Sequence, residues 1–348
     1  MYNNSIVQWD LNLITSQNIN FWLLKNKSVL ITGATGMLAS YFMYTLMYLN
    51  DKYNYNIKIY TLIRNKSRLD SLINLNSRKD IYPIEQDVCL DINLEDKIDY
   101  IIHMASSSNP STITTDPIGI IKANVLGTLN ILNLAKKHDA KVVFTSTREV
   151  YGKVENIDVI SEGDMWSLDC TELRSCYPES KRLAENLIIS YAYQYWIKYQ
   201  IARIAHSYWP GMIIKNDGRI MSDLICDVVE HKNIVLKSSW EAKRSFCYIS
   251  DTITALFMIT LSEEYNQVYN LSNETEEISI KDLAYSLEKW YQNRNINVIF
   301  DIQDNKNQYV KFKRVRLDTS KLENLGWKPS ISLRDGISKT IQFFDTQK

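Results

Sequence analysis

Short apolar runs alternate along this chain with longer mixed segments. The run Ser28–Thr32 (SVLIT) is unbroken and stops at Gly33. A strand covered on both faces loses the apolar/polar alternation of a half-exposed one, so such a run reads as a strand of a parallel sheet. Similar runs at 57–63, 81–86, 100–104, 141–146 and 200–204 repeat the signal. Between them, 37–49, 118–137 and 174–196 are long enough and suitably patterned for helices. Strands alternating with helices predict an α/β fold, a Rossmann-type doubly wound parallel sheet. Its ligands are expected at the carboxyl ends of the strands.

Beyond about position 210 the pattern changes. Short strands at 234–236, 268–271 and 298–301 mix with helices at 219–230, 251–262, 280–292 and 332–344. This predicts a smaller mixed α/β C-terminal lobe packed over the sheet edge. The expected division is an extension over 1–27, a dinucleotide-binding domain carrying the catalytic helix over 28–208, and a mainly substrate-binding lobe over 209–348. Some segments of that lobe are expected to return to the Rossmann core.

Composition narrows the partners. With 348 residues, 45% of them hydrophobic, the chain can bury a large core. Lys plus Arg and Asp plus Glu both number 40, so the formal net charge is zero. A balanced chain has no global field for nucleic acid or an anionic membrane, and any phosphate site must be local. No run approaches about 18 consecutive apolar residues, so no membrane span is expected. The first 17 residues lack a basic start and an apolar signal core, which gives a cytoplasmic expectation. Cys89, Cys170, Cys176, Cys226 and Cys247 form no Cys-x-x-Cys pair and fit no zinc spacing. They read as buried or inert thiols. The four histidines are scattered, and no metal is expected.

The first candidate chemistry is Gly33-Ala34-Thr35-Gly36-Met37-Leu38-Ala39, between the first strand and the first long helix. Glycine lets the backbone approach a pyrophosphate, and the helix start offers unpaired N–H groups and a positive dipole end. The small Ala39 suits close helix–strand packing. Dinucleotide folds that prefer NAD usually carry an acid at the end of strand two. Here the stretch is Leu62-Ile63-Arg64-Asn65-Lys66. Arg64 either meets a 2′-phosphate, which would mean NADP, or stacks on the adenine. Asp87 and Val88 end strand three, where the carboxylate either accepts from the adenine amino group or caps the local turn.

The second is Thr147-Arg148-Glu149 after the fifth strand, followed by Tyr177-Pro-Glu-Ser-Lys181. Tyrosine and lysine four apart share a helical face. An adjacent ammonium would lower the phenol's pKa, letting the phenolate take a hydroxyl proton near neutral pH. A strand-end hydroxyl would orient the substrate.

On these residues the chain resembles the NAD-dependent epimerase/dehydratase branch of the extended short-chain dehydrogenases, most of all UDP-glucuronate decarboxylases and dTDP-glucose 4,6-dehydratases. The matching pieces are ITGATGMLAS, DYIIHMAS, ANVLGTLNIL, STREVYG, CYPESKRLAE, ARIAHSYWPGM, NDGR, KRSFCYISD and LDTSKLENLGWKP. The resemblance implies an enzyme that uses NAD, or failing that NADP. Gly33, Thr35, Gly36, Met37 and Leu38 would line the pyrophosphate, and Asp87 and Val88 the adenine. Ala105 and Ser106 would lie along the cofactor, with Asn124 supporting the site. Thr147 takes the substrate-hydroxyl role, Tyr177 is the base and Lys181 its partner, which also holds the cofactor ribose. Ser107, Arg148, His206, Arg219 and Arg244 fall at substrate positions. His206 stands where the family often has Asn, and Trp209 where it usually has glycine.

The resemblance also implies a nucleotide-linked sugar (UDP, CDP or dTDP) that is oxidised transiently at C4, and a homodimer built on the Tyr/Lys helix. The 4,6-dehydratases have Asp-Glu after the matched Thr, and the decarboxylases Ser-Glu. Here the pair is Arg148-Glu149. A guanidinium is not a general acid near neutral pH. It either pairs with a substrate carboxylate or braces the lobe. Decarboxylation or epimerisation is therefore expected ahead of dehydration, on the way to surface polysaccharide precursors. The same fold also admits a carbonyl reductase using NADP, or a non-catalytic NAD-binding protein.

Overall fold

Ser28–Thr32 (β1), Lys58–Ile63 (β2), Ile81–Glu85 (β3), Tyr100–His103 (β4), Lys141–Thr147 (β5), Tyr199–Ile204 (β6) and Gln267–Leu271 (β7) form one parallel sheet. They belong to a computed structural model that describes residues 1–212, 215, 218–236, 243–301 and 315–347. The strand order is β7-β6-β5-β4-β1-β2-β3. It reverses direction between β1 and β4, where a doubly wound sheet opens its ligand crevice. Every residue of β1, β5 and β6 is buried, which explains their unbroken apolar runs.

The two faces of the sheet feed two cores. Val29, Ile31 and Val143 point into one, and Leu30, Val142 and Phe144 into the other, the period of two that a pleat imposes. The first core is covered by Ser5–Thr15 (α1), Met37–Tyr53 (α2) and the later helix Ile249–Leu261. The second is covered by Pro117–His138 (α3) and Cys176–Tyr195 (α4).

Two features add to the expectation drawn from the chain. The segment expected as lobe strand 268–271 is β7, which runs beside β6 with Val268 opposite Ile201 and Leu271 opposite Ile204. Its five residues fit any short buried strand, and only the distant partner decides its place. The N-terminal extension is also structured. Asn4 accepts from the N–H groups of Ile6 and Val7 and caps α1, which buries Val7, Leu11 and Ile14. Asp10 is buried with them and accepts from the phenols of Tyr41 and Tyr248, each at 3.1 Å. Burial pushes its carboxyl up to about 7.

The lobe carries Ile220–Val229, a parallel pair Ile234–Leu236 with Val298–Phe300, and an antiparallel pair Lys243–Ser245 with Glu277–Ser279. Among the described residues one helix, α3, has the length and composition to cross a bilayer. Part of its apolar content faces the second core through Ile131, Leu132 and Ala135, and part is exposed as Ile118, Ile121 and Leu126. All five cysteines are free. Cys247 is buried, whereas Cys170 is exposed.

Candidate active site

A cleft of about 700 Å³ opens at the carboxyl side of the sheet, reached by the ends of β5 and β6 and by the start of α2. At its dinucleotide end Gly33 has φ +67°, and a Cβ there would lie 3.0 Å from Ala105 Cα and 3.2 Å from the Met104 carbonyl. No side chain fits that approach. Thr35 lies in the turn that follows, and the Gly36 N–H donates to the Gly33 carbonyl at 2.8 Å. Gly36 then caps α2, so the first-turn N–H groups at Met37 and Leu38 meet the cleft.

The opposite wall is held by a buried relay. The Thr32 hydroxyl accepts from the N–H groups of Met104 and Ala105, both at 3.0 Å, so its proton goes to His103 Nδ1 at 2.8 Å. The His103 proton must then sit on Nε2, which donates to Thr128 at 3.1 Å, and Thr128 donates to the Asn124 carbonyl. Burial pushes this imidazole down to about 3, so it stays neutral. Asn124 Nδ2 donates to Ser180 at 2.9 Å and ties α3 to the helix carrying Tyr177 and Lys181. Ser106 Oγ and Asn124 Oδ1 are buried without a protein partner. A cradle that only glycine fits, a row of helix-start donors and orphaned polar atoms suit a bound dinucleotide.

Farther out, Asp87 accepts the Cys89 N–H at 2.8 Å, the capping geometry. That bond holds its carboxyl below the usual range, with exposed Arg64 adding to the effect. Val88 is buried against Gly127, where a Cβ would come within 2.8 Å of it.

The four expected catalytic residues, Thr147, Glu149, Tyr177 and Lys181, all line the cleft. Thr147 ends β5 and caps the short helix Arg148–Tyr151, its hydroxyl accepting the Glu149 N–H at 3.2 Å. Tyr177 and Lys181 lie on the buried face of α4. Ser146, the neighbouring hydroxyl, donates to buried Glu185 and is committed there.

Burial governs the electrostatics of the Tyr177–Lys181 pair. Lys181 Nζ donates to the Thr145 carbonyl at 2.8 Å and lies 4.4 Å from the Phe144 ring centroid. Burial pushes its ammonium down to about 7. Burial raises the Tyr177 phenol well above its ordinary value and Glu149 raises it further, while a hydrogen bond with Thr147 and the charge of Arg174 lower it.

Arg174, which sequence reasoning left at a helix start, lines the cleft. Its Nη2 donates to both Glu149 oxygens at 3.0 Å. The signal was available in its place three residues before Tyr177. Arg148 also lines the cleft, and its Nη2 donates to the Val315 carbonyl at 3.3 Å, a bracing contact. The Arg219 guanidinium lies 5.5 Å from the Trp209 ring centroid, Arg244 Nη1 donates to the Lys243 carbonyl at 2.8 Å, and His206 lies against Phe246. These three residues line the cleft as expected. Ser107 accepts the Asn109 N–H at 3.3 Å, while its neighbours Ser106 and Ser108 line the cleft. Asn216 and Asp217 of the NDGR stretch lie outside the described residues.

Residues 29–272 match the family described as NAD dependent epimerase/dehydratase. UDP-glucuronic acid decarboxylase 6 of Arabidopsis thaliana is 31% identical over 314 residues, 90% of this chain and 87% of that protein. Two solved structures share the fold. The UDP-glucose 4-epimerase of Thermotoga maritima, with UDP-glucose, superposes with a TM-score of 0.77 at 18% identity over 92% of this chain and 99% of its own. The dTDP-glucose 4,6-dehydratase of Bacillus anthracis, in complex with NAD, gives 0.72 at 20% identity over 92% and 97%.

Proposed function

Since the chain belongs to the NAD-dependent epimerase/dehydratase family, we propose that it oxidises a nucleotide-linked sugar at C4 and then decarboxylates or epimerises it. The relatives named UDP-glucuronic acid decarboxylases support UDP as the nucleotide and a uronate as the sugar. One observation carries the choice of reaction. Glu149 stands beside Thr147 in the cleft, while the adjoining Arg148 donates to Val315 and offers no acid for a leaving hydroxyl.

NAD+ held by the Gly33 turn and the start of α2 would supply a hydride acceptor for C4. Thr147 orients the C4 hydroxyl, and the Tyr177 phenolate takes its proton. Lys181, anchored on Thr145, sits one helical turn away to hold the ribose. In the 4-keto uronate the carboxylate is β to the ketone. As CO2 leaves, the C5–C6 bonding electrons pass into an enolate, which takes a proton back at C5; return of the hydride to C4 and of the proton to its oxygen then leaves CO2 as the net loss. Glu149 is the carboxylate placed to govern that proton.

The test begins by denaturing purified protein and identifying the released cofactor. NAD is expected, and NADP alone would redirect the reading to a carbonyl reductase. UDP-, CDP- and dTDP-linked hexoses and uronates are then offered, and products are followed by mass. Loss of CO2 from a UDP-uronate is the expected outcome, and an unchanged mass with altered retention identifies epimerisation. Loss of water from a neutral hexose would overturn the ranking. Glu149→Gln is expected to accumulate a 4-keto species with the cofactor reduced, and to slow product formation by about 10²-fold or more.

We also propose a homodimer through α3 and α4. Leu183, Ile189 and Tyr193 are exposed on α4, and Ile118, Ile121 and Leu126 on α3. Exposed apolar side chains on two packed helices are the kind of surface a second copy can cover. Light scattering at micromolar concentration is expected to read twice the 40.6 kDa chain mass. Tyr193→Glu is expected to give a monomer, and a monomeric wild type would end the proposal.

A further inference from the structure

Arg174 occupies the short helix Leu173–Ser175, the last turn of chain before α4. That turn is firmly placed. The Asp169 carboxylate accepts the N–H and hydroxyl of Thr171, and the Asp169 carbonyl accepts from the Ser175 hydroxyl at 2.6 Å and from the Glu172 N–H at 3.2 Å. Ser175 is buried, while the Arg174 side chain remains 57% exposed toward the cleft. One nitrogen of its guanidinium spans both oxygens of Glu149. Glu149 is fixed from its own side by the bond from its N–H to the Thr147 hydroxyl. Arg174, Glu149, Thr147 and Tyr177 thus line one stretch of the cleft.

We infer that Arg174 is a positioning residue of this site: it holds the Glu149 carboxylate in place and offsets that carboxylate's negative charge beside the Tyr177 phenol. The inference rests on Tyr177 acting as the base. Creating a phenolate in a buried position costs desolvation, and a second anion nearby adds to that cost. Glu149 is the nearby anion and Arg174 the cation that opposes it. The other charged or titratable groups lining the cleft are Arg148, Lys181, His206, Arg219 and Arg244. Lys181 is directed to the Thr145 carbonyl, Arg148 to Val315 and Arg244 to Lys243. Its contact with both Glu149 oxygens gives Arg174 a defined task. It lets the site keep a carboxylate for a later proton transfer without disabling the phenolate needed for the first.

The consequences have signs. Arg174→Gln removes the cation, so the Tyr177 pKa rises, and the rising limb of the pH–turnover profile moves to higher pH. The expected shift is about 0.2–0.7 pH unit, the scale of an exposed ion pair. Arg174→Lys keeps the charge and is expected to restore at least about half of that shift, though it cannot reproduce the planar guanidinium contact. The second readout is ultraviolet titration of tyrosinate, differenced against Tyr177→Phe, which needs no substrate. There Arg174→Gln is expected to raise the Tyr177 pKa and Glu149→Gln to lower it. Coincident titrations for wild type and Arg174→Gln would overturn the inference, as would equal shifts for the Gln and Lys variants. If the wild type converts no nucleotide sugar, the functional reading fails while the titration still decides the role of Arg174. If the wild type turns over and Arg174→Gln leaves both readouts unmoved, the inference alone fails.

Discussion

Tyr177→Phe is expected to lower turnover by about two to four orders of magnitude, the scale of a lost general base. The ring is 6% exposed, in a small cluster with Ile113 and Ile120, so phenylalanine keeps its packing. Substrate affinity and thermal stability are expected to stay near wild type, which separates lost chemistry from lost fold. The residual rate should no longer rise through the phenol's ionisation, because the titrating group is gone. Single-turnover absorbance of the reduced nicotinamide, read across pH with a substrate identified by mass, checks this directly. Turnover near wild type would assign the proton to another group.

Arg203→Leu is expected to cost about 3–5 kcal/mol of stability, the scale for stripping one partner from a buried ion pair. Arg203 and Glu185 meet at 2.7 Å with side chains 5% exposed. Arg203 also donates to the Glu162 carbonyl at 2.8 Å, and Ser146 donates to Glu185. The substitution leaves a carboxylate in a dry interior between β5, β6 and α4, on the same helix as Lys181. Pairing Arg203→Leu with Glu185→Leu removes both charges and is expected to recover most of the loss, since a matched apolar replacement of a buried pair is often close to neutral. Denaturant midpoints at an unchanged slope measure both variants. Losses that simply add would show that the two charges do not stabilise each other.

Much of the site was readable in the chain because its rules are local. The Gly33 turn needs φ above zero and a close neighbour, which is a property of a few residues. Tyr177 and Lys181 share a face because the helical period brings positions four apart together. Thr147 falls at a strand end because the apolar run before it stops there. Arg174 escaped because it lies outside the Tyr–Lys spacing and acts through Glu149. Spacing puts Tyr177 and Lys181 on one face, and the Thr145 carbonyl decides where the ammonium points.

The alternation of buried strands and helices is written in the composition of successive short windows, so the sheet's class and the end at which ligands bind follow from the chain alone. So do the glycine turn, the Tyr–Lys pair and the family they identify. Tertiary structure decided what depends on distant partners. β7 entered the sheet only by pairing with β6. Arg148 turned to a carbonyl 167 positions away, and Arg174 to a carboxylate 25 positions away. An ionic or hydrogen-bonding group takes whichever partner the fold brings within about 3 Å. Its assignment is therefore a property of packed geometry, whereas a strand or a turn is largely a property of its own residues.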